Sequence, residues 1–201
     1  SSVIGGGSAT GNITINVDDL ALAGSMSIQS SGELRITPRT ASTTIGLGGG
    51  AGTLDISSAE LGYLEDGFSS ITIGDTSSGT GLITINASTF TDDVTIGSGN
   101  GSIDVNGNLV NNGGSVTLIG SGSTTTLTAD IITNGATITI DDRVLVAAAG
   151  VELDTTNGGS TPAGADINIT GAIDSSSGNN FDFTADAGTS GALVFGGDIG
   201  T

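Results

Sequence analysis

The sequence predicts an all-β fold: a parallel β-helix, or β-solenoid, running through residues 1–201 as a single segment, with one short helical insertion near residues 58–66. Three observations predict it. Apolar and polar residues alternate in short apolar-x-apolar triplets, each followed at once by Gly, Ser, Asn or Asp; that is the period of strands with one buried face. Alternate triplets recur at near-constant steps, with Leu34 to Leu54 and Ile83 to Ile103 separated by 20 residues, and Val94 to Val116 and Val116 to Ile138 by 22. The inward residues are almost all Ile, Val and Leu, a monotony that suits stacking of like on like in successive coils.

In chain order the triplets are Ile13/Ile15, Leu34/Ile36, Ile45/Leu47, Leu54/Ile56, Ile71/Ile73, Ile83/Ile85 and Val94/Ile96. They continue with Ile103/Val105, Val116/Leu118, Ile138/Ile140, Val144/Val146, Val151/Leu153, Ile167/Ile169, Phe181/Phe183 and Leu193/Phe195. Two or three such strands per coil give roughly nine or ten coils and a rod ~45 Å long. The spacing drifts between Leu54 and Ile71, where Ser57 to Gly67 reads as a short helix. Ser57 and Glu60 have capping-box spacing, Leu61 and Leu64 share a face, and Gly67 stands where a helix-ending glycine belongs. A second drift, after Leu153, predicts a loop over residues 155–165, which hold Asn157-Gly158-Gly159 and Pro162. Neither end of the chain carries the residues of a capped terminus, so the chain is expected to be cut from a much longer repetitive polypeptide.

Charge and missing residue types narrow the function. Lysine is absent, the cations are Arg35, Arg39 and Arg143, and 21 carboxylates bring the net charge to -18. Such a surface repels phosphate backbones and anionic membranes, which argues against nucleic-acid partners. No apolar run approaches the roughly 20 residues of a membrane span, so membrane insertion is not expected either. The sequence has no His and no Cys, which removes the usual zinc sites and the Ser-His-Asp and Cys-His nucleophile systems. A carboxylate pair remains open to a glycosidase, with Glu60, Glu65 and Asp66 as candidates. Yet the chain has no Trp and a single Tyr, Tyr63, where sugar sites use aromatic platforms. The expectation is that the chain is not an enzyme. The glycine run from Gly46 to Gly52 is followed by no Lys and reads as tight turns rather than a phosphate loop.

Two binding chemistries stay open. Asp pairs recur after strands, at Asp18-Asp19, Asp92-Asp93 and Asp141-Asp142. If they share one corner of stacked coils, their oxygens offer the hard ligands that calcium takes; otherwise they are solvated turns. No cofactor is required, and calcium is the one candidate. Thr-rich stretches such as Thr124-Thr125-Thr126 raise ice binding, which needs Thr in register over many coils; the sequence gives no such register.

The stretch Leu34-Arg35-Ile36, then Thr44 to Gly49, Leu54-Asp55-Ile56-Ser57 with Glu60-Leu61, and Asp66 to Gly74 resembles a passage of very large bacterial proteins like the filamentous haemagglutinin family. The run Ala192 to Gly200 is similar to a second recurring segment of such chains. The resemblance implies secretion across an outer membrane, a right-handed β-helix, and an extracellular or cell-surface role in adhesion, aggregation or biofilm. The expected partners are adjoining solenoid segments or further copies, together with cell-surface glycans or neighbouring fibres. The alternative is a calcium-dependent or carbohydrate-binding module, and ice binding is a more distant one.

Overall fold

The computed structural model describes residues 2–176 and 178–200. The fold is nearly all β. The strands begin with β1 (Ser2–Gly5), β2 (Ile13–Asn16), β3 (Met26–Gln29), β4 (Glu33–Thr37), β5 (Ile45–Leu47) and β6 (Leu54–Ile56). A four-residue helix, α1 (Ser58–Leu61), precedes β7 (Ser70–Ile73), β8 (Ile83–Ile85), β9 (Ser88–Phe90) and β10 (Val94–Gly97). Then follow β11 (Ile103–Val105), β12 (Leu109–Asn111), β13 (Val116–Leu127), β14 (Ile131–Thr133) and β15 (Ile138–Val146). The last are β16 (Val151–Asp154), β17 (Ile167–Ile169), β18 (Ile173–Ser175), β19 (Phe183–Asp186) and β20 (Leu193–Phe195). Among the described residues no helix is long and apolar enough to cross a membrane.

All pairings between these strands are parallel, and they form three main ladders. The first aligns Ile13, Leu34, Ile71, Val94, Val116, Ile138, Ile167 and Leu193 as successive partners. The second aligns Leu54, Ile45, Ile83, Ile103, Thr125, Val144 and Ile173. The third aligns Ser88, Leu109, Ile131, Leu153 and Ala185. β1 pairs with β3, and Ile28 of β3 is bridged to Leu64. β13 and β15 are long because each runs through a corner, its first half in the first ladder and its second half in the second, with a register shift between Ile119 and Thr124. The first two ladders therefore form one curled sheet.

Most of the expected inward positions are the core, but Ile13, Ile15, Phe181, Phe183 and Phe195 are half-buried and Leu193 in β20 is exposed. Leu34, Ile73, Ile83, Ile96, Ile103, Val116, Ile138 and Ile140 are all at most 0% exposed, and each such side chain contributes roughly 1.5–3 kcal/mol by leaving water. The 22-residue steps from Val94 to Val116 to Ile138, and the 20-residue step from Ile83 to Ile103, are true register partners. The equal step from Leu34 to Leu54 is not. Leu34 pairs with Ile13 and Ile71 in the first ladder, while Leu54 pairs with Ile45 in the second. Phe181 and Phe183 do not form a triplet within one strand, because β19 begins at Phe183.

The pairing of β5 with β6 explains the glycine run. These parallel neighbours are joined by only six residues, 48–53, and β6 lies on the side of β5 away from β8. So short a return brings backbone onto backbone. A Cβ at Gly52 would lie 2.1 Å from the Gly46 amide nitrogen, and one at Gly46 would lie 2.0 Å from the Gly50 oxygen. The run serves a tight turn, as expected.

The helix is shorter than the sequence suggests. Its capping box is present: the Ser57 hydroxyl accepts from the Glu60 amide at 3.3 Å, and Glu60 Oε2 accepts from the Ser57 amide at 2.9 Å. It ends at Gly62 rather than near Gly67. Tertiary pairing takes over there: the Ile28 amide donates to the Tyr63 oxygen at 2.8 Å, and the Glu65 amide donates to the Ile28 oxygen at 3.0 Å. Leu64 is thereby drawn into line with β3, and that extended pairing is incompatible with a further helical turn.

Candidate functional site

The Asp pairs lie at different corners. Asp18-Asp19 follow β2, where the chain leaves the first ladder for β3, and Asp141-Asp142 sit within β15, between its first-ladder and second-ladder halves. Asp92-Asp93 lie between β9 and β10, where the third ladder gives way to the first. Among the described residues no group of three or more His, Cys, Asp or Glu side chains converges to hold a metal ion.

Five of the six paired carboxylates instead accept hydrogen bonds from the protein, mostly from a segment more than 20 residues away in sequence. Asp18 Oδ1 accepts from the Arg39 and Thr40 amides at 2.9 and 2.8 Å and from the Thr43 hydroxyl at 2.8 Å, while Oδ2 accepts from the Thr40 hydroxyl at 2.8 Å. The Thr40 amide leads the causes that hold its carboxyl below the usual range. Asp93 Oδ1 accepts from the amide and hydroxyl of Ser115 at 2.7 and 2.9 Å. Asp141 Oδ1 accepts from the Thr170 hydroxyl at 2.9 Å. Asp19 is exposed.

The other two members are buried. Asp92 Oδ2 accepts from the Gly67 and Phe68 amides at 3.2 and 3.1 Å. Burial nevertheless pushes its carboxyl up, helped by the charge of Asp66. Asp142 accepts from the Arg143 amide at 2.8 Å and, at the long distance of 3.4 Å, from the Thr125 hydroxyl. Burial raises it, with Asp141 adding repulsion.

The sequence reading missed residues that do the same work. Asn12 Oδ1 accepts from the Glu33 amide at 3.0 Å, Asp130 Oδ1 from the Glu152 amide at 2.9 Å, and Asp166 Oδ1 from the Ala192 amide at 2.8 Å. The separations of 21, 22 and 26 residues were the available signal: one acidic or amide side chain set back from a strand start by about that step. Carboxylates also crowd on the third ladder. Burial first, then the charges of Asp154, Asp130 and Asp186, raise Glu152.

The three carboxylates considered for catalysis are spread over different tasks. Glu60 is buried and occupied by the capping box and by the Leu22 amide, which donates to Oε1 at 2.8 Å. Asp66 is exposed beside Asp92, and Glu65 is exposed. Beside them a cavity of about 280 Å³ opens between α1 and β9, lined by Ser58, Leu61, Leu64, Thr89 and Phe90 among others.

One face differs from the sequence expectation. Thr72, Thr95, Thr117 and Thr139 are consecutive partners in the first ladder, so Thr does keep register here, over four levels. These positions alternate with the buried rows and so lie on the outer face. Arg35 precedes the run and Asn168 follows it. The register was invisible in the sequence because the steps are 23, 22 and 22 residues and other Thr residues lie between. In comparison with known proteins, the chain matches no protein-family model, no curated protein and no solved structure.

Proposed function

We propose that this chain is a right-handed parallel β-helix serving as a structural and adhesive rod segment of a secreted bacterial surface or extracellular-fibre protein. The observation that carries this reading is the rotation of the chain among its ladders. From β10 onward it visits the first, second and third ladder in turn, through β11 and β12, the two halves of β13 and β14, the two halves of β15 and β16, and then β17, β18 and β19. A chain that returns to the same ladder once per circuit is a coil, and crossovers between parallel neighbours are right-handed in about 98% of cases. Each coil then packs on the next, as in other solenoids. The adhesive role rests on the family resemblance of residues 34–74 and 192–200. Its partners are further coils or copies of such a chain, glycans and neighbouring fibres. Calcium is an optional ligand of the Asp pairs.

The test is display of the chain on bacterial cells that do not aggregate by themselves. Clumping or attachment to glycan-coated surfaces is expected, and Ile138→Asp, which puts a charge into an inward row, should abolish it. Unchanged settling and attachment with well-folded protein on the surface would remove the adhesive role. Solution scattering checks the shape separately, since a coil stack gives a rod profile.

The Thr run favours one second reading. Four stacked hydroxyl and methyl pairs, about 4.8 Å apart along a sheet face, suit an ordered hydroxyl lattice such as ice. Inhibition of ice recrystallisation that is lost in Thr117→Lys would support it. The absence of any effect on ice growth would leave those residues as ordinary strand formers.

A further inference from the structure

We infer that this fold holds shut the spontaneous succinimide chemistry to which its Asn-Gly and Asp-Gly steps are prone. The chain contains five Asn-Gly steps, at Asn100, Asn106, Asn112, Asn134 and Asn157, and one Asp-Gly step at Asp66. In an open chain the glycine amide nitrogen loses its proton and attacks Cγ of the preceding side chain. The new C–N bond closes a five-membered ring, and the Cγ–Nδ2 bond breaks with loss of ammonia, or of water at Asp66. Water then opens the ring at either carbonyl, giving aspartate or isoaspartate. Isoaspartate adds a methylene to the backbone, and in strands with a side-chain period of two such a slip disturbs which face every following residue presents.

Burial does not protect these steps. Asn100, Asn106, Asn112, Asn134 and Asp66 are exposed, and Asn157 is half-buried. Protection comes from the attacking atom. All six glycine amides donate a hydrogen bond. Gly107 donates to the Ile85 oxygen at 3.2 Å, Gly135 to the Thr155 oxygen at 2.8 Å, and Gly101 to the Ser98 oxygen. Gly113 donates to Asn111 Oδ1 at 3.2 Å, and Gly158 to Asp154 Oδ2 at 2.6 Å. Gly67 donates to Asp92 Oδ1 and Oδ2 at 3.1 and 3.2 Å. Attack requires that bond to break and the backbone to leave its native dihedrals, so the rate falls by the fraction of time each turn is open.

The acceptors divide the six into two classes. At Gly101, Gly107 and Gly135 the acceptor is a main-chain carbonyl; at Gly107 and Gly135 it belongs to a segment about 20 residues away, so those two steps open only when neighbouring segments part, whereas the Gly101 bond to the Ser98 oxygen closes a local turn. At Gly67, Gly113 and Gly158 the acceptor is a side chain, and a single substitution frees the amide.

The experiment incubates the folded chain at mildly alkaline pH, beside the same chain in denaturant, and follows each step by peptide mass mapping with isoaspartate detection. Folded wild type should react at least about tenfold more slowly at every step. In Asp154→Ala, Asn157 alone should accelerate while the other five stay slow, which also shows that the variant is folded. Asn111→Ala should do the same for Asn112. Equal rates in folded and denatured wild type would overturn the inference, as would a folded Asp154→Ala variant in which Asn157 stays as slow as before. If all six steps accelerate in the variant, it has unfolded, and the wild-type comparison decides.

Discussion

Asn111 shows why some of the core is not legible one residue at a time. It is 0% exposed, yet it stands at the end of a strand in an inward row, where the alternation rule expects Ile or Val. Its side chain is fully used: Nδ2 donates to the Asp92 and Ser115 oxygens at 2.8 and 2.9 Å, and Oδ1 accepts from the Gly113 and Gly114 amides at 3.2 and 2.9 Å. A satisfied amide costs little to bury, whereas an unsatisfied one costs several kcal/mol. The same holds for Thr125, 0% exposed in a row of Ile and Val. Asp142 is the less comfortable case. Its carboxyl is raised by burial and by Asp141, so ionisation costs more in the folded chain than in the unfolded one. The folded chain binds the proton more tightly, and stability falls as pH rises from the ordinary carboxylate value through the raised one. Asp142→Asn removes that cost and can still accept from the Arg143 amide. The variant should melt above wild type at about pH 7, and the gap should close as pH falls to about 3, where both side chains are uncharged. A melting curve series over that range checks it, and a variant that is less stable at neutral pH would show that the carboxylate's hydrogen bonds outweigh its burial.

At the scale of elements, the first ladder was legible throughout and the second in most of its strands, while of the third only β16, with Val151/Leu153, read as an inward pair. In the first, both inward positions of each strand are apolar, as in Val94/Ile96 and Val116/Leu118. In the third, β9, β12 and β14 carry Ser88/Phe90, Leu109/Asn111 and Ile131/Thr133, with one polar residue in each pair. These polar residues are buried because they hydrogen-bond to the backbone: the Ser88 hydroxyl donates to the Asn86 oxygen and the Thr133 hydroxyl to the Ala136 oxygen close by in sequence, and Asn111 reaches the Asp92 oxygen 19 residues away. The Asp pairs were legible as turn residues, but their acceptor roles needed the register, which no local pattern contains. The helical insertion was legible through its capping box, although its length was not. Glu60 is its key residue. Burial works against its charge, but the Leu22 and Ser57 amides and the Ser57 hydroxyl outweigh it and hold the carboxyl below its usual range. One side chain thus caps α1 and ties down residue 22 from 38 positions away. Glu60→Ala removes the cap's reciprocal bond, worth about 1 kcal/mol, and leaves the Leu22 amide without its partner, at about 1–3 kcal/mol. A total loss of roughly 2–4 kcal/mol in denaturant titration is expected. Faster hydrogen exchange at the Leu22 amide should accompany it. Unchanged exchange there would mean that residue 22 is held by packing alone.

For the molecule as a whole, the dominant electrostatic fact is 21 carboxylates against three arginines. The ion pair of Arg143 with Asp174, at 3.4 Å with the arginine half-exposed, offsets little of it. Stacking concentrates the problem, because neighbouring strands are about 4.8 Å apart while the screening length is about 8 Å at physiological ionic strength. Carboxylates on adjacent levels therefore feel one another through solvent, and the rise in Glu152, led by burial and increased by the charges of Asp154, Asp130 and Asp186, is the local sign of it. Monovalent salt screens such repulsion everywhere, so the melting temperature should rise with sodium chloride. A divalent cation does more only where several carboxylates crowd with oxygens to spare. The oxygens of Asp18 already accept four bonds from residues 39–43, so that pair is the weaker candidate. Among the described residues no three carboxylates converge on a metal site, so calcium is expected to act on the crowded charges of Asp130, Glu152, Asp154 and Asp186 by loose neutralisation rather than as a caged ion. Millimolar calcium should therefore raise the melting temperature above that in sodium chloride of equal ionic strength. Asp130→Asn should remove most of the difference, and Asp19→Asn should leave it in place. Equal melting temperatures in the two salts would reduce calcium to a general screening ion and leave the fold stabilised by its apolar rows and by the hydrogen bonds between its neighbouring strands and turns.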